Sequence, residues 1–111
     1  MWIFTDTGFI SAIAHYQDRG QIVARSRDRE SLDSLAALAD TTIHATPVRD
    51  YPFRVHVTRN VFTRWLSTVV ADLEYTNFKD RVHVTRGERY HEALSGVWET
   101  MHHVEDREAG K

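Results

Sequence analysis

Cysteine is absent from the 111-residue chain, which excludes disulfides, thiolate metal ligands and cysteine nucleophiles. Proline occurs twice and glycine five times, and no glycines fall in the spacing of a phosphate-cradling loop. Apolar runs are short, and none approaches the about 18 residues that a membrane span needs. The N-terminus lacks the basic-then-apolar layout of a secretory leader, so the expectation is a cytoplasmic protein without a membrane anchor. Neither charge sign dominates: 16 acidic residues against 14 basic ones give a net charge of −2. A uniformly basic, strongly non-specific nucleic-acid binder is thereby excluded. What is present is an ordinary globular composition, 41% apolar and 27% charged, with three Trp, four Tyr and five Phe to seed a core. The length suits a single domain over residues 1–111, with a frayed polar tail over 105–111.

Hydrophobic periodicity sets out the elements. Residues 1–27 read as three short strands separated by turns at Asp6-Thr7-Gly8 and Gln17-Asp18-Arg19-Gly20, an antiparallel meander. Residues 28–40 switch to helical spacing through Leu32, Leu35, Ala36, Leu38 and Ala39, with Asp28 placed to cap. Residues 41–46 and 53–58 return to strand. In the latter, Phe53, Val55 and Val57 share one face and Arg54, His56 and Thr58 the other. A wide apolar stripe, Val61, Phe62, Trp65, Leu66, Val69, Val70 and Leu73, predicts a helix over 60–75 capped by Asn60. A second stripe through Tyr90, Leu94, Val97, Trp98 and Met101 predicts one over 88–105, with Thr85 and Glu88 as a capping box. Between them, Asn77 is placed to end the first helix in a left-handed conformation. The sum is an α+β fold: an antiparallel sheet of about five strands with two or three helices packed on one face, anchored by Trp65 and Trp98.

One hexapeptide occurs twice. Arg54-Val55-His56-Val57-Thr58-Arg59 returns letter for letter as Arg81-Val82-His83-Val84-Thr85-Arg86. The plainer reading is two alternating segments whose valines pack inward and whose polar residues are solvated. The chemical reading takes His56/Thr58 and His83/Thr85 as paired His-x-Thr elements, which resemble the signature of two-histidine phosphoesterases. That resemblance implies one histidine acting as base and the other as acid, hydroxyls holding a phosphate, and Arg54 and Arg81 as cationic clamps. The chain departs from that pattern in the 27-residue spacing of its copies and in the Arg that follows each Thr.

Other constellations carry less chemistry. Glu88 and His91 are a single Glu-x-x-His pair, and His91, His102 and His103 lie along one predicted helix, so no metal centre is expected. Arg25, Arg27 and Arg29 form a basic run, interrupted by Asp28, that offers an anion or RNA contact. Met1-Trp2-Ile3-Phe4-Thr5 with Gly8-Phe9, then Asp50-Tyr51-Pro52-Phe53-Arg54, Tyr75-Thr76-Asn77-Phe78-Lys79, Tyr90 and Val97-Trp98, resemble a family of small uncharacterised bacterial and phage proteins. The likeness spans about residues 1–101 and implies a small intracellular domain, phage- or prophage-encoded, with no cofactor and no catalytic residue to carry over. The expected function is a non-enzymatic interaction protein acting on a protein partner or a second copy of itself. Its alternatives are the phosphoesterase or nucleotide binder just described, and nucleic-acid binding through arginine-bearing strand faces with exposed aromatics for stacking.

Overall fold

The computed structural model describes residues 1–106, which fall into two compact units, Met1–Glu74 and a second beginning at Tyr75. The first is built on β1 (Trp2–Thr5), β2 (Gly8–Ala14), β3 (Gln21–Ser26), β4 (His44–Ala45) and β5 (Phe53–Thr58). These strands stand in the order β1-β2-β3-β5-β4, every neighbouring pair antiparallel. The α+β class and the five-stranded antiparallel sheet are as expected.

Alternation determines what the sheet covers. Ile10 lies opposite Ile3, Ala12 opposite Ala24, Ala24 opposite Val55, and Ile22 opposite Val57, so their side chains share one face. A 3-10 turn at Glu30–Leu32, α1 (Asp33–Ala39) and α2 (Arg59–Ala71) supply Leu32, Leu35, Ala36, Phe62 and Trp65 to the same cluster. The alanines of β2 and β3 leave room for these larger side chains. Trp65 is 1% exposed, and its indole N–H donates to Ser34 Oγ at 2.9 Å, which satisfies the one polar atom of the ring.

Local capping differs from the expectation in instructive ways. Asp28 Oδ1 accepts from Ser31 N at 2.9 Å, but the cap positions are Arg29 for the 3-10 turn and Leu32 for α1, and neither makes a side-chain cap bond. α1 ends at Asp40 in the left-handed region, φ 51°. α2 is capped by Thr58, whose hydroxyl accepts from Val61 N, and not by Asn60. The strand runs straight into the helix, so the last strand residue takes the capping position. The strand expected over 41–46 shrinks to His44–Ala45.

The second unit holds α3 (Phe78–Arg86) and α4 (Glu88–Met101), followed by a 3-10 turn at His102–Val104. α3 makes a fourth helix where two or three were expected. α2 stops at Ala71, and Asn77 opens α3 instead of closing α2: it is extended, and its side chain accepts from Asp80 N at 3.0 Å. Thr85 is internal to α3, so the Thr85–Glu88 capping box does not form. Gly87, at φ 87°, turns the chain between the two helices. Val82 and Leu94 are the buried apolar residues of this pair. Trp98 is 55% exposed, with Lys79 Nζ 4.1 Å from its ring centre, so it is not a core anchor. Helical periodicity placed it on the right stripe but could not supply a partner to cover it. Of the polar tail expected over 105–111, residues 107–111 lie outside the described residues.

Truncating the two tryptophans is therefore expected to have unequal effects. Trp65→Ala should lower the unfolding free energy by about 3–5 kcal/mol, and Trp98→Ala by about 1 kcal/mol or less. Urea unfolding of the two variants beside the parent measures both, and equal losses would refute the assignment of Trp65 as the anchor.

Candidate functional site

The alternation that dries one face of the sheet leaves the other without α1 or α2. Along β1 that face carries Trp2 and Phe4, along β2 Phe9 and Ser11, along β3 Arg25, along β5 Arg54 and His56, and along β4 His44. Register puts five of these in one row: Trp2 opposite Ser11, Ser11 opposite Arg25, Arg25 opposite Arg54, and Arg54 opposite His44. The row crosses all five strands, a span of about 19 Å at the usual strand spacing.

Its β1 end is aromatic. Phe9 stacks on Phe4 with ring centres 4.7 Å apart and meets Trp2 edge-on at 5.7 Å. Trp2 remains 68% exposed. Tyr51, reached from Phe9 at 6.3 Å, is buried, with Arg25 and Arg27 each placed over its ring at 4.7 and 4.6 Å. Both contacts are cation–π in geometry. Arg25 also donates from Nη2 to Ser11 Oγ at 2.7 Å, and Arg27 donates from Nη1 to Asp50 Oδ1 at 3.1 Å and to the Asp50 carbonyl at 2.8 Å.

Its far end is cationic and lacks a counter-ion. Arg25 and Arg54 face each other across β3 and β5, and Arg49 lies on the loop after β4. None of the three has a carboxylate partner among the described residues. Arg54 Nε is buried and donates to nothing. Burial, and then repulsion from Arg49 and Arg25, hold the Arg54 guanidinium below its ordinary value, although it stays charged at neutral pH.

His44 is paired with Arg54 across the β4–β5 edge, and His56 lies two residues along β5. The His56 ring lies 5.7 Å from His15 and 6.2 Å from His44. His15 Nδ1 accepts the backbone N–H of Gln17 and of Asp18, which puts the proton of its neutral form on Nε2. Desolvation pushes the His56 pKa down, helped by His15, His44 and Arg54. No group of three or more metal-ligating side chains converges among the described residues.

The paired His-x-Thr elements are placed very differently. His56 is on β5, and Thr58 is committed to capping α2. His83, Thr85 and Arg81 belong to α3, so the second copy is helical and lacks the strand setting of the phosphoesterase pattern. Its His83 meets His91 of α4 edge-on at 5.2 Å, and Thr85 donates its hydroxyl to the Arg81 carbonyl at 3.1 Å. The neighbours of His56 are thus His15 and His44, which no motif had marked. Of the proposed clamps, Arg54 stands beside Arg25. Comparison with protein-family models, curated proteins and solved structures returns no match to this chain.

Because protonated His56 is disfavoured in the fold, the unfolded chain binds its proton more readily. Stability is then fully present above the ordinary histidine value of 6.5 and falls as pH drops below it. His56→Gln is expected to flatten that part of the stability–pH curve, as followed by urea midpoints between about pH 5 and 8. An unchanged slope would contradict the clustering.

Proposed function

We propose that the chain binds single-stranded nucleic acid across the open face of the sheet. The observation that carries this reading is the cross-strand row that sets exposed Trp2 in line with Arg25, Arg54 and His44, with Ser11 buried between them under its bond from Arg25. A sheet face with exposed rings for base stacking and guanidiniums for phosphates is a recurrent solution for single strands. Like charges directly opposite each other across two strands are destabilising, and Arg25 faces Arg54 without a neutralising acid. An anionic ligand supplies the missing partner. The net charge of −2 is no obstacle, since none of the five strands carries an Asp or Glu and Asp50 engages Arg27.

Fluorescence anisotropy with labelled ten-residue oligo-U and oligo-dT is expected to show binding that weakens as salt rises from about 50 to 200 mM. Trp2→Ala should weaken it by about 5- to 150-fold, the worth of one stacked base. Arg25→Gln should lower the slope of log affinity against log salt by about 0.7. Affinity that ignores salt and both substitutions would overturn the reading.

A second reading rests on β1, which is an edge strand with an unpaired side. Pairing of two copies along it would give a dimer. Sedimentation at rising protein concentration should then show a monomer–dimer equilibrium that Phe4→Pro abolishes, because Met1 and Ile3 turn their N–H groups toward β2 and Phe4 turns its own to the free edge.

A further inference from the structure

The row is electrically lopsided, and the lopsidedness bears on which nucleic-acid group it takes. Its aromatic members sit at the β1 end, on Trp2, Phe4 and Phe9. Its cations without a carboxylate among the described residues run from Arg25 on β3 to Arg54 on β5, with Arg49 on the loop before β5. Arg27, one of the two cations over Tyr51, is already met by Asp50, whereas Arg25, which shares that ring, and Arg49 and Arg54 have no carboxylate among the described residues. Arg54 also keeps a buried N–H with no acceptor, so this end lacks a hydrogen-bonding partner as well as a charge. Two arginines paired across β3 and β5, with Arg49 near enough to repel Arg54, are more than one internal phosphodiester neutralises, because a diester carries a single negative charge. A phosphate monoester carries about −1.5 to −2 at neutral pH and presents three acceptor oxygens. Guanidinium forks suit such oxygens better than ammonium groups do.

We propose that the Arg25–Arg49–Arg54 cluster is a seat for a terminal phosphate monoester, so that the protein recognises a phosphorylated end of a single strand. This rests on the reading that the open face binds single strands: the monoester fills the cationic end of the row, and bases further along the strand stack at the Trp2 end. From Arg54 to Trp2 the row spans about 14 Å at the usual strand spacing, so the two contacts fall on different nucleotides of one strand.

The test compares one ten-residue sequence in three forms, with a 5′-phosphate, with a 3′-phosphate, and with hydroxyls at both ends, by anisotropy at pH 7.5. At least one phosphorylated form is expected to bind about tenfold or more tighter than the hydroxyl form. Which form gains identifies the strand polarity on the sheet. Inorganic phosphate at millimolar concentration should erase that gain. Arg54→Gln should reduce the gain, and Arg49→Gln, on an exposed loop remote from the core, should do the same if Arg54→Gln proves unstable. Equal affinity for all three forms would overturn the monoester seat while leaving single-strand binding intact. Absence of binding by every form would overturn both.

Discussion

The two-residue period of β2, β3 and β5 is the constraint on which everything else rests. It sends Ile10, Ala12, Ala24, Val55 and Val57 beneath Trp65, and by the same geometry it sends Ser11, Arg25, Arg54 and His56 the opposite way. The two sets cannot be chosen independently, because a slip of one residue would carry the arginines into the core. Packing against Trp65 therefore fixes the register that aligns the row. A buried valine in β5 contributes roughly 1.5–3 kcal/mol by its removal from water. That exceeds the roughly 0.2–1 kcal/mol at stake in a pair facing across two strands. The core can thus sustain a strained electrostatic surface on its far side.

That surface shows how little a net charge says about a protein with mixed signs. The chain as a whole is slightly acidic, yet Arg25, Arg49 and Arg54 have no carboxylate partner among the described residues. Tyr51 carries part of the load, since Arg25 and Arg27 both lie over its ring. The remaining imbalance is registered by Arg54, through its buried and unanswered N–H and through the pull of burial and neighbouring cations on its proton affinity. Local departures of this kind, in a chain whose core is otherwise well satisfied, are where binding is most reasonably sought.

Much of the first unit was legible in the letters. The meander, the Trp65 stripe and the split of Phe53, Val55 and Val57 from Arg54, His56 and Thr58 all follow from periods of two and 3.6. The row itself was not legible, because it depends on strand order and register. β5 inserts between β3 and β4, and only that placement brings Arg54 beside Arg25 and His44. Tyr51 and Asp50 enter from a loop, whose course no periodicity encodes. The second unit was harder to foresee. Asn77 serves to end a helix or to begin one with equal chemistry, and the sparse apolar content of 78–86 gave no stripe to decide between them. The exposure of Trp98 is hidden from its helical stripe, because amphipathicity reveals which way a ring faces but not what stands opposite.

The doubled hexapeptide makes a different point about inheritance. In β5 both of its valines are sealed, Val55 at 0% and Val57 at 3% exposure, whereas in α3 Val82 is sealed at 0% and Val84 stands 78% exposed. Identical letters thus bear unequal burdens, and a Val→Ala change that wounds the strand at its second valine passes almost unnoticed at the matching place in the helix. The same six letters therefore lie as a strand in one unit and as helix in the other, alike in sequence and unlike in what each side chain holds in place.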